Sequence, residues 1–250
     1  VPSCWETIER DYEGVAFYGR EYTVPASWQG KTVRLQFDAV NYIAEIFVNN
    51  HVVGRHEGGY GPFEFRIDDL LKYDAPNFIS LRVVGPIVAQ DKMIDGIGWN
   101  DMPHWRGAIT GGIWQSVRLV ATGTTYVDDL FLEPRLDDNT VTAHLIVENA
   151  EHVSRNRDVT VEIRSLADLE KVGAKMTTRV RLVPGTNRHR QTLVVPEARY
   201  WSPEDPHLYI ATVRIADGTH LTDIEEVRFG MRELTIRNNK FELNGKPIYI

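Results

Sequence analysis

An all-β chain folded into more than one sandwich is predicted, and three observations predict it. Apolar and polar residues alternate with period two along most of the chain, turn-forming residues sit at the joins, and helical periodicity is almost absent. Within 32–39, Val33, Leu35, Phe37 and Ala39 share one face while Arg34, Gln36 and Asp38 take the other. The same alternation groups Ile79, Leu81 and Val83; Val117, Leu119 and Ala121; and Val141, Ala143, Leu145 and Val147. It recurs in Val159, Val161 and Ile163 and in Tyr209, Ala211, Val213 and Ile215. Asn49-Asn50, Asn238-Asn239 and Asn244-Gly245 fall between apolar runs, where tight hairpins need residues that tolerate positive φ. Only 67–73, after an Asp-rich start, reads as a short helical turn.

The 250 residues are enough for one large domain or two ordinary ones. A boundary is expected near Thr122-Gly-Thr-Thr125, a small polar run after a strand. Residues 1–121 then form one sandwich with a long loop over 85–112. Residues 122–230 form a second, with strands spaced at about 8–12 residues as in immunoglobulin-like sandwiches. Residues 231–250 read as a hairpin, 233–236 with 240–243, followed by Pro247-Ile-Tyr-Ile250. That last run has no polar face; it reads as a fully buried strand without a partner.

Composition narrows the function. A hydrophobic fraction of 42% with 25% charged residues belongs to an ordinary soluble globular chain. A net charge of −7 with no clustered Lys and Arg excludes a nucleic-acid partner. Arg179, Arg181, Arg188 and Arg190 come closest to a basic patch, and their alternation along strands reads as a solvated face. One cysteine, Cys4, permits neither an internal disulfide nor a Cys-based metal site. No apolar run approaches the roughly 18 residues of a membrane span, so no membrane partner is expected. The start at Val1 has no initiator Met and no signal-peptide pattern, so it reads as processed or trimmed. Localisation is left open, an exported compartment being favoured over the cytoplasm.

Five segments, in order, carry a resemblance. They are Gly54-Arg-His-Glu-Gly-Gly-Tyr-Gly-Pro-Phe-Glu-Phe65 after Ile46-Phe-Val-Asn-Asn50, Gly111-Gly-Ile-Trp-Gln-Ser-Val117, and Trp201-Ser-Pro-Glu-Asp-Pro-His-Leu-Tyr209. Phe229-Gly-Met-Arg232 and Phe241-Glu-Leu-Asn-Gly-Lys246 complete the set. Together they resemble the front half of family 2 glycoside hydrolases, which include β-galactosidases, β-glucuronidases and β-mannosidases. The resemblance implies a jelly-roll sugar-binding domain over 1–121, an immunoglobulin-like domain over 122–230, and over 231–250 the lead-in to a catalytic barrel. It also implies that Arg232 ties the second domain to that barrel through an ion pair, and that the Gly58 to Phe63 loop tucks Tyr60 and Phe63 into the core.

Retaining glycosidases use two carboxylates about 5–5.5 Å apart. The resemblance puts both on barrel strands, the acid/base after an asparagine, and no Asn-Glu pair occurs in this chain. Adjacent pairs such as Asp68-Asp69 and Glu225-Glu226 point to opposite faces of a strand and cannot flank one bond. No catalytic residue is therefore expected within the chain. His56-Glu57 lacks the second histidine and the helix of a zinc-protease motif, and His51, His56, His104 and His207 read as scattered. There is no nucleophile-elbow motif, and the glycine runs open no helix that would cradle phosphate. No metal or cofactor is expected.

The richest candidate is Ile97-Gly-Trp-Asn-Asp-Met-Pro-His-Trp-Arg106. Sugars bind by stacking on aromatic faces while amides, carboxylates and guanidinium groups bridge hydroxyls, and this loop offers both kinds of group. Trp99, Asn100, Asp101, His104 and Trp105 are the expected substrate-binding residues. The resemblance assigns Asp101 or Asn100 to the terminal sugar; a loop whose Trp residues merely cap the sandwich is the competing reading. The expected function is that of the non-catalytic front part of a retaining β-glycosidase. Its partners are a carbohydrate substrate and the parent's own barrel, and a homo-oligomer is allowed. A stand-alone carbohydrate-binding pair of sandwiches and a structural tandem sandwich are the alternatives.

Overall fold

The computed structural model of the protein describes residues 1–9, 12, 14–85 and 111–249. The chain divides into two compact units, Val1–Ala121 and Thr122–Ile250.

The first unit is a sandwich of seven strands: β1 (Val15–Thr23), β2 (Thr32–Phe37), β3 (Ile43–Val48), β4 (His51–Glu57), β5 (Phe63–Arg66), β6 (Pro76–Val84) and β7 (Val117–Thr122). One sheet runs β1-β6-β3-β4 and the other β5-β2-β7. The inward set that alternation marks on β2, Val33, Leu35 and Phe37, meets Ala44, Ile46 and Val48 of β3 and Ile79, Leu81 and Val83 of β6 in one core. Asn49 and Asn50 turn β3 into β4 with φ of 50° and 67°. The Asn49 amide then donates to the Leu70 carbonyl at 2.8 Å, tying the hairpin to a 3₁₀ turn over Asp68–Leu70. Arg34 departs from the expected solvent face. It is only 4% exposed because β2 is the central strand of its sheet, and it pairs with Glu64 of neighbouring β5 at 3.2 Å.

The second unit holds β8 (Thr125–Arg135), β9 (Thr140–Asn149), β10 (Arg155–Ser165), β11 (Asp168–Leu182), β12 (Gly185–Val194), β13 (Tyr209–Asp217) and β14 (His220–Phe229). Four strands in the order β11-β10-β13-β14 face three in the order β12-β9-β8. This four-against-three arrangement is the immunoglobulin-like sandwich. Val141 to Val147, Val159 to Ile163 and Ala211 to Ile215 fill its core from alternate positions. Buried Arg157 is held by Thr125 Oγ1 at 3.0 Å and Asp217 at 3.1 Å. Tyr209, at the start of β13, accepts a hydrogen bond at its hydroxyl from the Arg199 N–H at 2.8 Å, the tyrosine corner of such sandwiches.

A small sheet follows, β15 (Leu234–Arg237), β16 (Lys240–Leu243) and β17 (Lys246–Ile248). The expectation that the terminal apolar run is a strand without a partner is overturned. β17 pairs antiparallel with β16, Phe241 opposite Ile248, because Asn244 (φ 52°) and Gly245 (φ 75°) make a tight turn. Nor is the run fully buried: Ile248 is half-buried and Tyr249, just beyond the strand, is exposed.

Candidate functional site

Trp99, Asn100, Asp101, His104 and Trp105 lie outside the described residues. What the structure defines is the frame on which that segment is mounted. The Gly85 N–H donates to the Gly14 carbonyl at 2.8 Å, and the Trp5 N–H donates to the Gly111 carbonyl at 3.2 Å. Both glycines abut the Trp5 indole. A Cβ at Gly85 would stand 2.8 Å from the ring, and one at Gly111 would overlap it. The two flanks are thus pinned to one buried aromatic.

Beyond Gly111 the chain forms an aromatic ledge. Gly112 pairs with Asn41 through hydrogen bonds of 2.8 and 2.9 Å in both directions. Gly112 holds φ of 103°, a value that side chains rarely adopt. Two residues on, the Trp114 indole N–H donates to the Gly59 carbonyl at 2.8 Å. Gly59 lies so close to Asn41 that a Cβ there would come within 2.6 Å of the Asn41 amide oxygen. Tyr60 packs edge-on against Trp114, ring centroids 5.8 Å apart, and is 73% exposed.

Tyr60 is a correction: it does not tuck into the core. Glycines on both sides leave it no covering neighbour, so the loop presents the ring outward. Phe63 does turn inward, stacked between His56 (3.9 Å) and Phe37 (4.8 Å). Burial pushes the His56 imidazole below its ordinary value, against a smaller opposing pull from the Gly58 backbone and Glu57, so it stays neutral near pH 7.

The other sequence candidates are structural. His51 is exposed at the start of β4, and His207 lies 3.2 Å from Ser165 and edge-on to Tyr209. Among the described residues no three His, Cys, Asp or Glu side chains form a group that could hold a metal ion. The Trp201 segment is fixed by an Arg199–Asp205 ion pair at 2.7 Å and by the Trp201 N–H donating to Met231. Arg232 stacks on the Trp201 ring. The Tyr60–Trp114 ledge was the feature sequence reasoning missed, and the two glycines bracketing Tyr60 were its available signal.

Chemically, the ledge offers an exposed phenol ring, an indole edge and backbone amides, which suit the C–H and hydroxyl faces of a sugar. The fold defines a class of tandem β-sandwiches, the first of which carries an aromatic ledge. Residues 5–123 match the sugar-binding domain of glycosyl hydrolases family 2, and residues 125–232 match a second domain described as glycosyl hydrolases family 2. A β-galactosidase of Thermoanaerobacter pseudethanolicus is 27% identical over 247 residues, covering 96% of this chain and 31% of the relative. A β-glucuronidase of Bacteroides fragilis is 29% identical over 269 residues, covering 99% of this chain and 36% of the relative. The crystal structure of a Bacteroides uniformis β-glucuronidase superposes with a TM-score of 0.82 at 25% identity, covering 99% of this chain and 30% of that one. The chain belongs to glycosyl hydrolase family 2, with the family's sugar-binding and immunoglobulin-like domains. It spans about a third of the length of these relatives.

Proposed function

We propose that this chain is the non-catalytic N-terminal part of a retaining glycoside hydrolase that cleaves terminal β-O-glycosidic bonds. In this reading 1–121 is the jelly-roll sugar-binding domain, 122–230 the immunoglobulin-like domain, and 231–250 leads into the catalytic barrel. The observation that carries it is the pair of family matches, in order, along almost the whole chain. The named relatives are a β-galactosidase and a β-glucuronidase, and each extends well beyond the matched region.

The chain's own part is to complete the substrate cleft rather than to break the bond. The retaining mechanism needs an acid/base and a nucleophile on opposite sides of the bond. The chain contains no Asn-Glu pair to supply the family's acid/base. Asn100 and Asp101 are assigned to hydroxyls of the terminal sugar, with Trp99, His104 and Trp105 beside them. What supports this assignment is the set of residue types, an amide and a carboxylate among aromatic side chains.

The test assays the isolated chain and the parent enzyme on aryl β-galactosides, β-glucuronides and β-mannosides. The expected result is turnover by the parent, none by the isolated chain, and loss of kcat/KM on Asp101→Ala in the parent. Hydrolysis by the isolated chain that a substitution within 1–250 abolishes would overturn the reading. Glycan affinity of the isolated chain with no active parent would favour a stand-alone binding protein.

A further inference from the structure

The outer face of the three-stranded sheet in the second unit carries a shallow cleft of about 590 Å³, lined among others by Asp129, Phe131, Glu133, His144, Arg188 and Arg190. Strand register explains why they converge. Phe131 of β8 lies opposite His144 of β9, and His144 lies opposite Arg190 of β12, so the three form one row across the sheet. Neighbouring strands lie about 4.8 Å apart, so ring, imidazole and guanidinium fall within one sugar's reach. Arg188 sits two residues along the same strand, on the same face and about 7 Å away.

Two facts set this cleft apart from an ordinary solvated face. The first concerns pairing. In the same unit Arg155, Arg157, Arg164, Arg179 and Arg199 each bond a carboxylate. Arg188 and Arg190 meet none among the described residues, which is true of Arg181 and Arg228 as well; what is particular to the cleft is that two such side chains stand two residues apart on one face. Of the two carboxylates in the cleft, Glu133 is engaged by His144 at 2.9 Å, and Asp129 is separated from Arg188 by Ile146 in the register. The two arginines of the cleft are balanced in formal charge by Asp129 and Glu133, yet neither guanidinium fork is taken up by them. The second concerns Phe131, which is 60% exposed with its ring 5.9 Å from the His144 ring. An apolar ring held open beside two unpaired guanidinium forks has the chemistry that stacks a pyranose and grips a planar carboxylate.

We infer that Phe131, His144, Arg188 and Arg190 form a surface site for a uronate-bearing glycan, separate from the ledge of the first unit. The sugar ring stacks on Phe131, its carboxylate takes the Arg188 and Arg190 forks, and Asp129 accepts from ring hydroxyls. No bond is made or broken at this site. Its occupancy is independent of hydrolysis, so its failure would leave the proposed function untouched.

The test is affinity electrophoresis of the 250-residue chain through gels holding polygalacturonate, dextran or dextran sulfate, the last two sharing a backbone. The expected result is retardation by polygalacturonate above that by dextran sulfate, with none by dextran. Arg188→Lys with Arg190→Lys keeps the charge but loses the forks and should weaken retardation about tenfold, as should Phe131→Ala. All three side chains are exposed, so these variants should fold as the parent chain does, which circular dichroism checks. Equal retardation by dextran sulfate, or indifference to Phe131→Ala, would reduce the cleft to a charge-only surface and overturn the inference. Absence of any retardation would overturn it too.

Discussion

The guanidinium of Arg232 lies 4.5 Å from the centroid of the Trp201 ring. The contact closes a clasp. The Trp201 N–H donates to the Met231 carbonyl at 2.9 Å, and Gly230 packs so tightly on Trp201 that a Cβ there would approach to 2.7 Å. Asn244 adds a third tie, its amide donating to the Trp201 carbonyl at 2.9 Å and accepting from the Glu233 N–H at 3.0 Å. The segment after β14 is therefore seated on Trp201 before the β15–β17 sheet begins.

Arg232→Ala is expected to cost about 0.5–2 kcal/mol, the range of cation–π contacts from exposed to desolvated. Arg232→Lys should recover part of this, because an ammonium keeps the charge but loses planar stacking. Urea unfolding of the chain measures both. If Arg232→Ala matched the parent's midpoint, the stack would contribute nothing and the clasp would rest on the backbone bonds alone.

At the other end of the chain, Trp5 should be intolerant of change at its neighbour. Gly111→Ala drives a methyl into the indole and is expected to destabilise the first unit by about 1–3 kcal/mol, the usual cost of overpacking. Gly61→Ala, with open space around the position, serves as the control and should cost far less. Differential scanning calorimetry separates the two if the first unit melts earlier in Gly111→Ala while the second is unmoved.

The contrast between Leu35 and Tyr60 shows what a sequence makes legible. Leu35 belongs to an unbroken alternation, so its face is fixed by a repeated pattern, and it is buried at 2% exposure. Asn49, Asn238 and Asn244 were equally legible, because positive φ suits few residues and all three adopt it. Tyr60 sits in a glycine loop with no period to assign a face, and its ring contact is Trp114, 54 positions away in the chain. The partner of β17 was lost for another reason. A short apolar run reads as buried, yet turn chemistry at Asn244-Gly245 gave it a neighbouring strand while leaving it partly open to solvent. Arg34 fails similarly: alternation assigns a face but cannot tell a central strand from an edge.

The ledge yields a prediction for the parent enzyme. Trp114→Phe keeps the aromatic surface but removes the donor to the Gly59 carbonyl, a loss of about 1 kcal/mol. If the Gly58–Gly61 loop borders the parent's substrate cleft, KM for an aryl glycoside should rise with kcat little changed. Tyr60→Ala should act the same way without altering stability, since Tyr60 is exposed. Unchanged KM in both variants would remove the ledge from the substrate path.

The acid side of the stability curve should be set by Glu151 and Glu162. For Glu151, the hydrogen bond from Arg155 at 2.7 Å is the main influence lowering its carboxyl below the ordinary 4.5, outweighing burial, with Thr124 and the charges of Arg155 and Arg157 adding to it. For Glu162, 4% exposed, burial is the largest single influence and pushes upward, but Lys175 and Arg164 together outweigh it and hold the carboxyl low. A carboxyl depressed in the folded state binds its proton more readily when unfolded. Its stabilisation is therefore fully present above about pH 4.5 and is lost as pH falls through the folded value. Glu162→Gln removes that titration and leaves Lys175 and Arg164 without their carboxylate. The variant should be less stable than the parent chain at about pH 7, and the gap should shrink as the pH falls below about 4.5 through the depressed folded value of Glu162. Urea midpoints of the two chains across that range measure the effect. A gap that stayed constant with pH would mean the Glu162 cluster stabilises by packing, with its charge playing no part.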